Sequence, residues 1–294
     1  MFKGAITALA TPMRGGKVDL DALRALVELQ ITEGIDGLVP CGTTGETPTL
    51  EDSEQALVIR TVVEQTRRRV PVIAGAGANA TAHALARSRM AAECGADGLL
   101  QVTPYYNKPT QAGLLAHFRA ISEATGLPIV LYNVPGRTGC DLLPETIAEL
   151  AQHERIVAVK EASGSITRGQ QVIAACQRVR KDFSVLSGDD AMALALTAVG
   201  GQGVISVVSN VAPKLMAQLV RLTSESKLTE ARAIHYRLLR LMDLMFCESN
   251  PIPVKAAVAQ LGFGDNDLRL PLQPLAGAKL EQLVAELKRL GIAP

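Results

Sequence analysis

Cys94-Gly95-Ala96-Asp97-Gly98-Leu99 has near copies at Glu33-Gly34-Ile35-Asp36-Gly37-Leu38 and Val199-Gly200-Gly201-Gln202-Gly203-Val204. In each, a helix-period segment halts at a glycine and an apolar run begins just beyond it. Working outward, eight short apolar runs end in polar or turn residues: 4–12, 37–42, 70–77, 98–104, 128–135, 156–164, 183–189 and 203–210. Helical periodicity fills the intervals at 20–32, 53–68, 80–93, 112–125, 145–152, 167–180 and 191–199. Strands that read as continuous hydrophobic runs and alternate with helices indicate a parallel sheet covered by those helices. Eight such units in succession, with no break in composition, predict an α/β fold, a closed (β/α)8 TIM barrel, over a doubly wound open sheet. Further helical patterns at 213–223, 229–246, 254–260 and 275–290 exceed the needs of an eighth barrel helix. The expected organisation is a catalytic barrel over 1–225 and a C-terminal helical subdomain over 226–294.

The charge balance, 30 basic against 29 acidic residues in 294, gives no field that would draw nucleic acid or an anionic membrane. The basic cluster Arg67-Arg68-Arg69 follows a helical pattern and reads as a helix C-terminus. The N-terminus lacks an apolar leader with a cleavage site, and no stretch approaches 18 consecutive apolar residues, so a soluble, cytoplasmic protein is expected. Five scattered cysteines, Cys41, Cys94, Cys140, Cys176 and Cys247, include no C-x-x-C pair. His83, His117, His153 and His235 show no metal-binding spacing, so no metal site is expected.

In a barrel of this kind the chemistry lies at the C-terminal ends of the strands. Of ten lysines, only Lys160 sits inside an apolar strand, in Ile156-Val157-Ala158-Val159-Lys160-Glu161. An ammonium buried without a partner is costly; losing the proton relieves that cost and exposes an amine able to attack carbonyls. Lys160 is therefore a candidate Schiff-base lysine. The competing reading ends an edge strand at Lys160 and lets it snorkel to water. Three of the four tyrosines, Tyr105, Tyr106 and Tyr132, fall on the same rim as Thr44 and Arg137. Tyr132 could pass protons beside an imine, Thr44 could link phenols into a relay, and Arg137 could clamp a carboxylate. A core aromatic and a surface ion pair are the plainer readings of Tyr132 and Arg137.

Gly42-Thr43-Thr44-Gly45-Glu46 either serves as a turn, with Thr49 or Asp52 capping the next helix, or presents backbone N–H groups to a carboxylate. It lacks the lysine of a phosphate-binding loop. Gly75-Ala76-Gly77-Ala78-Asn79-Ala80 fits a dinucleotide fingerprint in form, but the next strand ends Gln101-Val102-Thr103-Pro104 without the acid a ribose needs. Close passage of a loop is the simpler account of those glycines.

Taken in order, Gly42 to Glu46, Pro104-Tyr105-Tyr106-Asn107-Lys108-Pro109, Tyr132-Asn133-Val134-Pro135-Gly136-Arg137-Thr138, Val159-Lys160-Glu161-Ala162, Ser187-Gly188-Asp189-Asp190 and Gly203-Val204-Ile205-Ser206 resemble the dihydrodipicolinate synthase family over the whole chain. That family belongs to the pyruvate-dependent class I aldolases, with N-acetylneuraminate lyase. The resemblance implies a lyase that condenses pyruvate with L-aspartate 4-semialdehyde to 4-hydroxy-tetrahydrodipicolinate, in the diaminopimelate and lysine pathway. It implies an imine on Lys160, a pyruvyl carboxylate held by Thr43 and Thr44, and a relay of Tyr132, Thr44 and Tyr106. Tyr106 would reach into a neighbouring subunit's pocket. Arg137 would bind the semialdehyde carboxylate, and backbone groups of Gly188 and Ile205 would line the pocket. No metal or organic cofactor is implied, and the usual assembly is a homotetramer, a dimer of tight dimers. An arginine at 137 favours a small carboxylated acceptor over the sugar aldehyde of the lyase. A non-enzymatic barrel that binds a keto acid is the alternative of a different class. An allosteric lysine pocket is implied around Pro48, Asp52, Gln55, Asn79, His83 and Tyr105. Because His83 stands where an acid would grip the ammonium, feedback by lysine is expected to be weak or absent.

Overall fold

The computed structural model describes residues 2–292, so Met1 and residues 293 and 294 of the expected C-terminal segment lie outside the described residues. Eight strands, β1 Gly4–Ala8, β2 Gly37–Val39, β3 Ile73–Gly75, β4 Gly98–Val102, β5 Ile129–Asn133, β6 Ile156–Glu161, β7 Ser184–Ser187 and β8 Gly203–Ser206, form one parallel sheet. Its order is β2-β1-β8-β7-β6-β5-β4-β3. Leu38 bridges Val72 in parallel, and Gly75 N–H donates to the Pro40 carbonyl at 2.9 Å, so β2 meets β3 and the barrel closes. A short antiparallel ribbon, Met13–Arg14 with Lys17–Val18, precedes the first helix.

The repeated signature has a physical basis in every copy. Gly34, Gly95 and Gly200 adopt φ of +89°, +87° and +110°, a left-handed turn that an L side chain would strain. Two residues later a side-chain oxygen accepts a backbone N–H at the start of the preceding strand or its approach. Asp36 takes Ala5 at 2.8 Å, Asp97 takes Val72 at 2.9 Å, and Gln202 takes Val185 at 2.7 Å. The signature therefore both ends a helix and satisfies an orphan amide at the barrel's base.

The helices that follow the strands are α1 Leu20–Thr32, α2 Asp52–Thr66, α3 Thr81–Glu93, α4 Gln111–Ala124, α5 Pro144–Ala151, α6 Ile166–Val179, α7 Ala193–Ala198 and α8 Pro213–Ser224. The sequence expectation for the cap of α2 was Thr49 or Asp52. Glu51 holds that place instead, in a capping box with Glu54, because both carboxylates reach the free amides of the first turn. Arg67 ends α2, and Arg69 beyond it hydrogen-bonds Glu28 of α1. After α8 come α9 Leu228–Leu244, α10 Ile252–Gln260 and α11 Gly277–Leu290. No described helix is long and apolar enough to cross a membrane.

Strand alternation divides the apolar residues into two cores. Ile6, Val39, Ile73, Leu100, Val130 and Leu186 fill the barrel, while a larger shell of Leu, Val and Ala packs between sheet and helices. His117 of α4 is buried in that shell; its Nδ1 shares a 2.9 Å hydrogen bond with the Thr81 hydroxyl, and among the described residues its Nε2 has no partner. Burial pushes this imidazole down to about 4 from its ordinary 6.5. As pH falls through that window the unfolded chain takes the proton first, so stability is full above about 6.5 and declines toward about 4. Lowering pH from about 7 to about 5 should depress the melting temperature more in the wild type than in His117→Gln. Equal losses in thermal melts of the two would contradict the assignment.

Candidate active site

Period-2 alternation in β6 sends Ala158 and Lys160 into the barrel and Val159 and Glu161 toward the helices. A register shift opposite Ile129 and Val130 then aligns Tyr132 with Lys160. The Lys160 Nζ lies over the Tyr132 ring, 4.5 Å from its centroid. Lys160 is 5% exposed, and among the described residues no carboxylate lies within ion-pair distance of it. Glu161, next in the strand, is engaged elsewhere: it accepts from Asn133 Nδ2 at 3.1 Å and from the Ser163 amide at 2.7 Å. A Cβ at Gly188 would stand 2.5 Å from Ala162 Cβ and 3.1 Å from Lys160 Cε, so only glycine leaves the lysine stem its place. Gly188 N–H donates to the Glu161 carbonyl at 2.7 Å, and Ile205 is buried inside the barrel.

A cavity of about 370 Å³ is lined by Thr43, Pro48, Tyr105, Tyr132 and Arg137, among others; Lys160 is not part of its wall and meets it through the Tyr132 ring. Gly75 and Gly77 form part of its wall. A Cβ at Gly75 would fall 1.9 Å from the Cys41 carbonyl oxygen, which is the close passage expected of those glycines. Gly42 to Glu46 form a tight 3-10 turn in which Gly45 and Glu46 donate to the Gly42 and Thr43 carbonyls. Among the described residues the amides of Thr43 and Thr44 have no such partner, as at any helix N-terminus, and suit an anion. Cys41, also on the wall, is a neutral thiol, pushed up to about 12 chiefly by burial.

Tyr132, Thr43 and Arg137 thus share one cavity, and Lys160 stands behind it, against the Tyr132 ring and Gly188, with Ile205 in the same barrel core. Thr44 is buried behind the cavity lining, and its hydroxyl accepts a 3.0 Å hydrogen bond from Asn250 Nδ2. Among the described residues Thr44 and Tyr132 share no hydrogen bond. Tyr106 is 89% exposed at φ +77°, on the loop after β4, and does not line the cavity. The six residues expected to form an allosteric pocket divide. Pro48 and Tyr105 line the main cavity, Asp52 and His83 line a separate one of about 260 Å³, and Asn79 lines neither. Gln55 is fully buried, with its Nε2 on the Leu50 carbonyl at 3.1 Å. Among the described residues no cluster of three or more His, Cys, Asp or Glu is placed to hold a metal ion.

Three functional candidates escaped the sequence reading. Arg87 borders both cavities and pairs with Asp52 at 3.5 Å. Asn250 bridges Thr44 and Arg137. Lys255 of α10 is as buried as Lys160 but forms an ion pair with buried Glu46, the last residue of the Gly42 to Glu46 motif. Burial pulls Lys255 down from the ordinary ammonium value while Glu46 pushes back. The signal that singled out Lys160, a lysine inside an apolar run, marks Lys255 as well once helices are included. Glu46 also accepts from the Arg269 amide at 2.8 Å and the Thr49 hydroxyl at 2.9 Å, so the pair ties the motif to the C-terminal helices. Lys255→Met should cost about 3–5 kcal/mol by leaving a buried carboxylate uncompensated. Urea unfolding checks this, and adding Glu46→Gln should recover part of the loss; a single-variant cost within about 0.5 kcal/mol would mean that the pair does not hold the loop.

The family model for the dihydrodipicolinate synthetase family matches residues 1–290. A 4-hydroxy-tetrahydrodipicolinate synthase of Geobacter sp. (strain M21) is 52% identical over 288 residues, 98% of each chain. The solved dihydrodipicolinate synthase of Thermotoga maritima superposes with a TM-score of 0.98 at 45% identity, covering 99% of both chains. That of Acinetobacter baumannii, chloride-inhibited and complexed with pyruvate, gives a TM-score of 0.96 at 43% identity over 99% of this chain and all of the other.

Proposed function

This chain belongs to the dihydrodipicolinate synthetase family, and from that premise we propose that it condenses pyruvate with L-aspartate 4-semialdehyde to 4-hydroxy-tetrahydrodipicolinate through a Schiff base on Lys160. The observation that carries this reading is the contrast between the two buried lysines. Lys255 pairs with a carboxylate, whereas Lys160 has an aromatic ring, and that ring lines a cavity. A lysine with no counter-ion, set against a phenol inside an apolar barrel, is placed to bond a ketone and not to hold a carboxylate.

In this reading Lys160 Nζ adds to the keto carbon of pyruvate and water leaves as the imine forms. Loss of a methyl proton gives an enamine, whose carbon attacks the aldehyde of the second substrate. The amides of Thr43 and Thr44 and the Thr43 hydroxyl hold the pyruvyl carboxylate, with backbone groups of Gly188 and Ile205 against the same substrate. Tyr132 moves protons at the carbinolamine and the enamine. Arg137, exposed and tethered by one 3.3 Å bond to the Asn250 carbonyl, keeps donors free for the semialdehyde carboxylate. Tyr106 completes the relay from a second copy of the chain, in a dimer within a homotetramer; its exposure in the single chain is what favours this. Residues 1–225 are the catalytic barrel and 226–294 a helical subdomain that reaches its rim. The enzyme works in the cytoplasm, on the route to diaminopimelate and lysine.

An assay of pyruvate turnover with aspartate semialdehyde or N-acetylmannosamine as the acceptor tests the reading. Only the semialdehyde should react, and Arg137→Leu should lower kcat/KM for it about 100-fold with little change in the pyruvate KM. Preference for the sugar, or indifference to Arg137, would contradict it. Feedback by lysine should be weak: Asp52, the acid beside the His83 cavity, is already paired with Arg87. Half-inhibition at submillimolar lysine in a direct titration would overturn that expectation.

A further inference from the structure

Asn250, in the segment before α10, touches two of these residues at once. It is 6% exposed; its Nδ2 donates to Thr44 Oγ1 at 3.0 Å, and its backbone carbonyl accepts from Arg137 Nη2 at 3.3 Å. Among the described residues its Oδ1 has no partner. We propose that Asn250 is a positioning residue of the condensation, which sets the direction in which Thr44 passes protons; this rests on the function proposed above.

A hydroxyl has one proton and two lone pairs. A member of a proton relay must accept one hydrogen bond and donate one, and a free hydroxyl rotor can do so in either sense. It can also lose its proton to a nearby carbonyl, as two neighbours in the same loop do: Thr47 donates to Gly42 at 2.7 Å and Thr49 to Glu46 at 3.0 Å. Among the described residues Thr44 Oγ1 has no partner but Asn250, whose NH2 group occupies one lone pair and, being a donor only, cannot accept the proton. What remains on Thr44 is one lone pair and one proton, enough for one phenol on each side. The amide also draws electron density from the oxygen and makes it the better donor. Because Arg137 contacts the backbone of Asn250, changes to the side chain leave that tether in place and act through Thr44.

Asn250→Ala should lower kcat about 10- to 100-fold with pyruvate KM near the wild-type value. The isostere Asn250→Asp should lose at least as much, since it exchanges the donor for an acceptor that takes the Thr44 proton; a packing role predicts that the isostere retains more. The deciding measurement is the double-mutant cycle with Thr44→Val. In that background Asn250→Ala should cost less than about twofold, because the group it acts through is gone. Wild-type kcat in Asn250→Ala, or the same fold-loss with and without Thr44, overturns the inference; if the alanine variant does not fold, Asn250→Asp carries the same cycle. Failure of the wild type to turn over pyruvate with the semialdehyde would instead sink the parent reading, whereas normal turnover without coupling sinks this one alone.

Discussion

An amine held inside an apolar barrel with no carboxylate beside it constrains everything around Lys160. The cost of burying an ammonium there is several kcal/mol by general estimates, and a well-placed acid would relieve it. Lys255 shows that the same chain can build such a relief when it serves structure. Around Lys160 the neighbours are instead an aromatic ring, a glycine that yields space, and an acid turned outward. Among the described residues none of these neighbours gives Lys160 a counter-charge, which sets it apart from Lys255.

The rim that surrounds this lysine is not the work of the barrel alone. The segment that enters α10 reaches back to the Gly42 to Glu46 turn at two points, Asn250 on Thr44 and Lys255 on Glu46. Arg269 adds a third tie, with its guanidinium on Glu54 and the Thr49 carbonyl and its amide on Glu46. A loop on a barrel rim is the most mobile part of such a fold. Here it is anchored by residues more than 200 positions away in the sequence, which gives the C-terminal helices a direct part in preorganising the site.

The fold was legible because its devices are local. A glycine stop, an aspartate or glutamine, and an apolar run recur at Gly34, Gly95 and Gly200, and each copy carries its helix end and its strand cap within a few residues. Lys160 was legible for the same reason, as a charge inside an apolar strand. Asn250 was not, since its meaning lies in a contact across the whole chain and nothing in Asn250-Pro251-Ile252-Pro253 announces it. Glu51 displaced the expected caps because acid side chains one turn apart can satisfy each other's amides, which residue type alone does not decide. Among the six residues grouped as an allosteric pocket, Gln55 turns inward to bond its own loop and Asp52 pairs with Arg87, contacts that residue type alone does not announce.

Treating the protein with pyruvate and borohydride, then mapping the adduct by mass spectrometry, tests the central claim most directly. Reduction of an imine fixes the three-carbon acid to the amine that formed it. The account predicts one stable pyruvyl adduct per chain, on Lys160, absent from Lys160→Ala and never on Lys255. An adduct on another lysine, or none at saturating pyruvate, would contradict it.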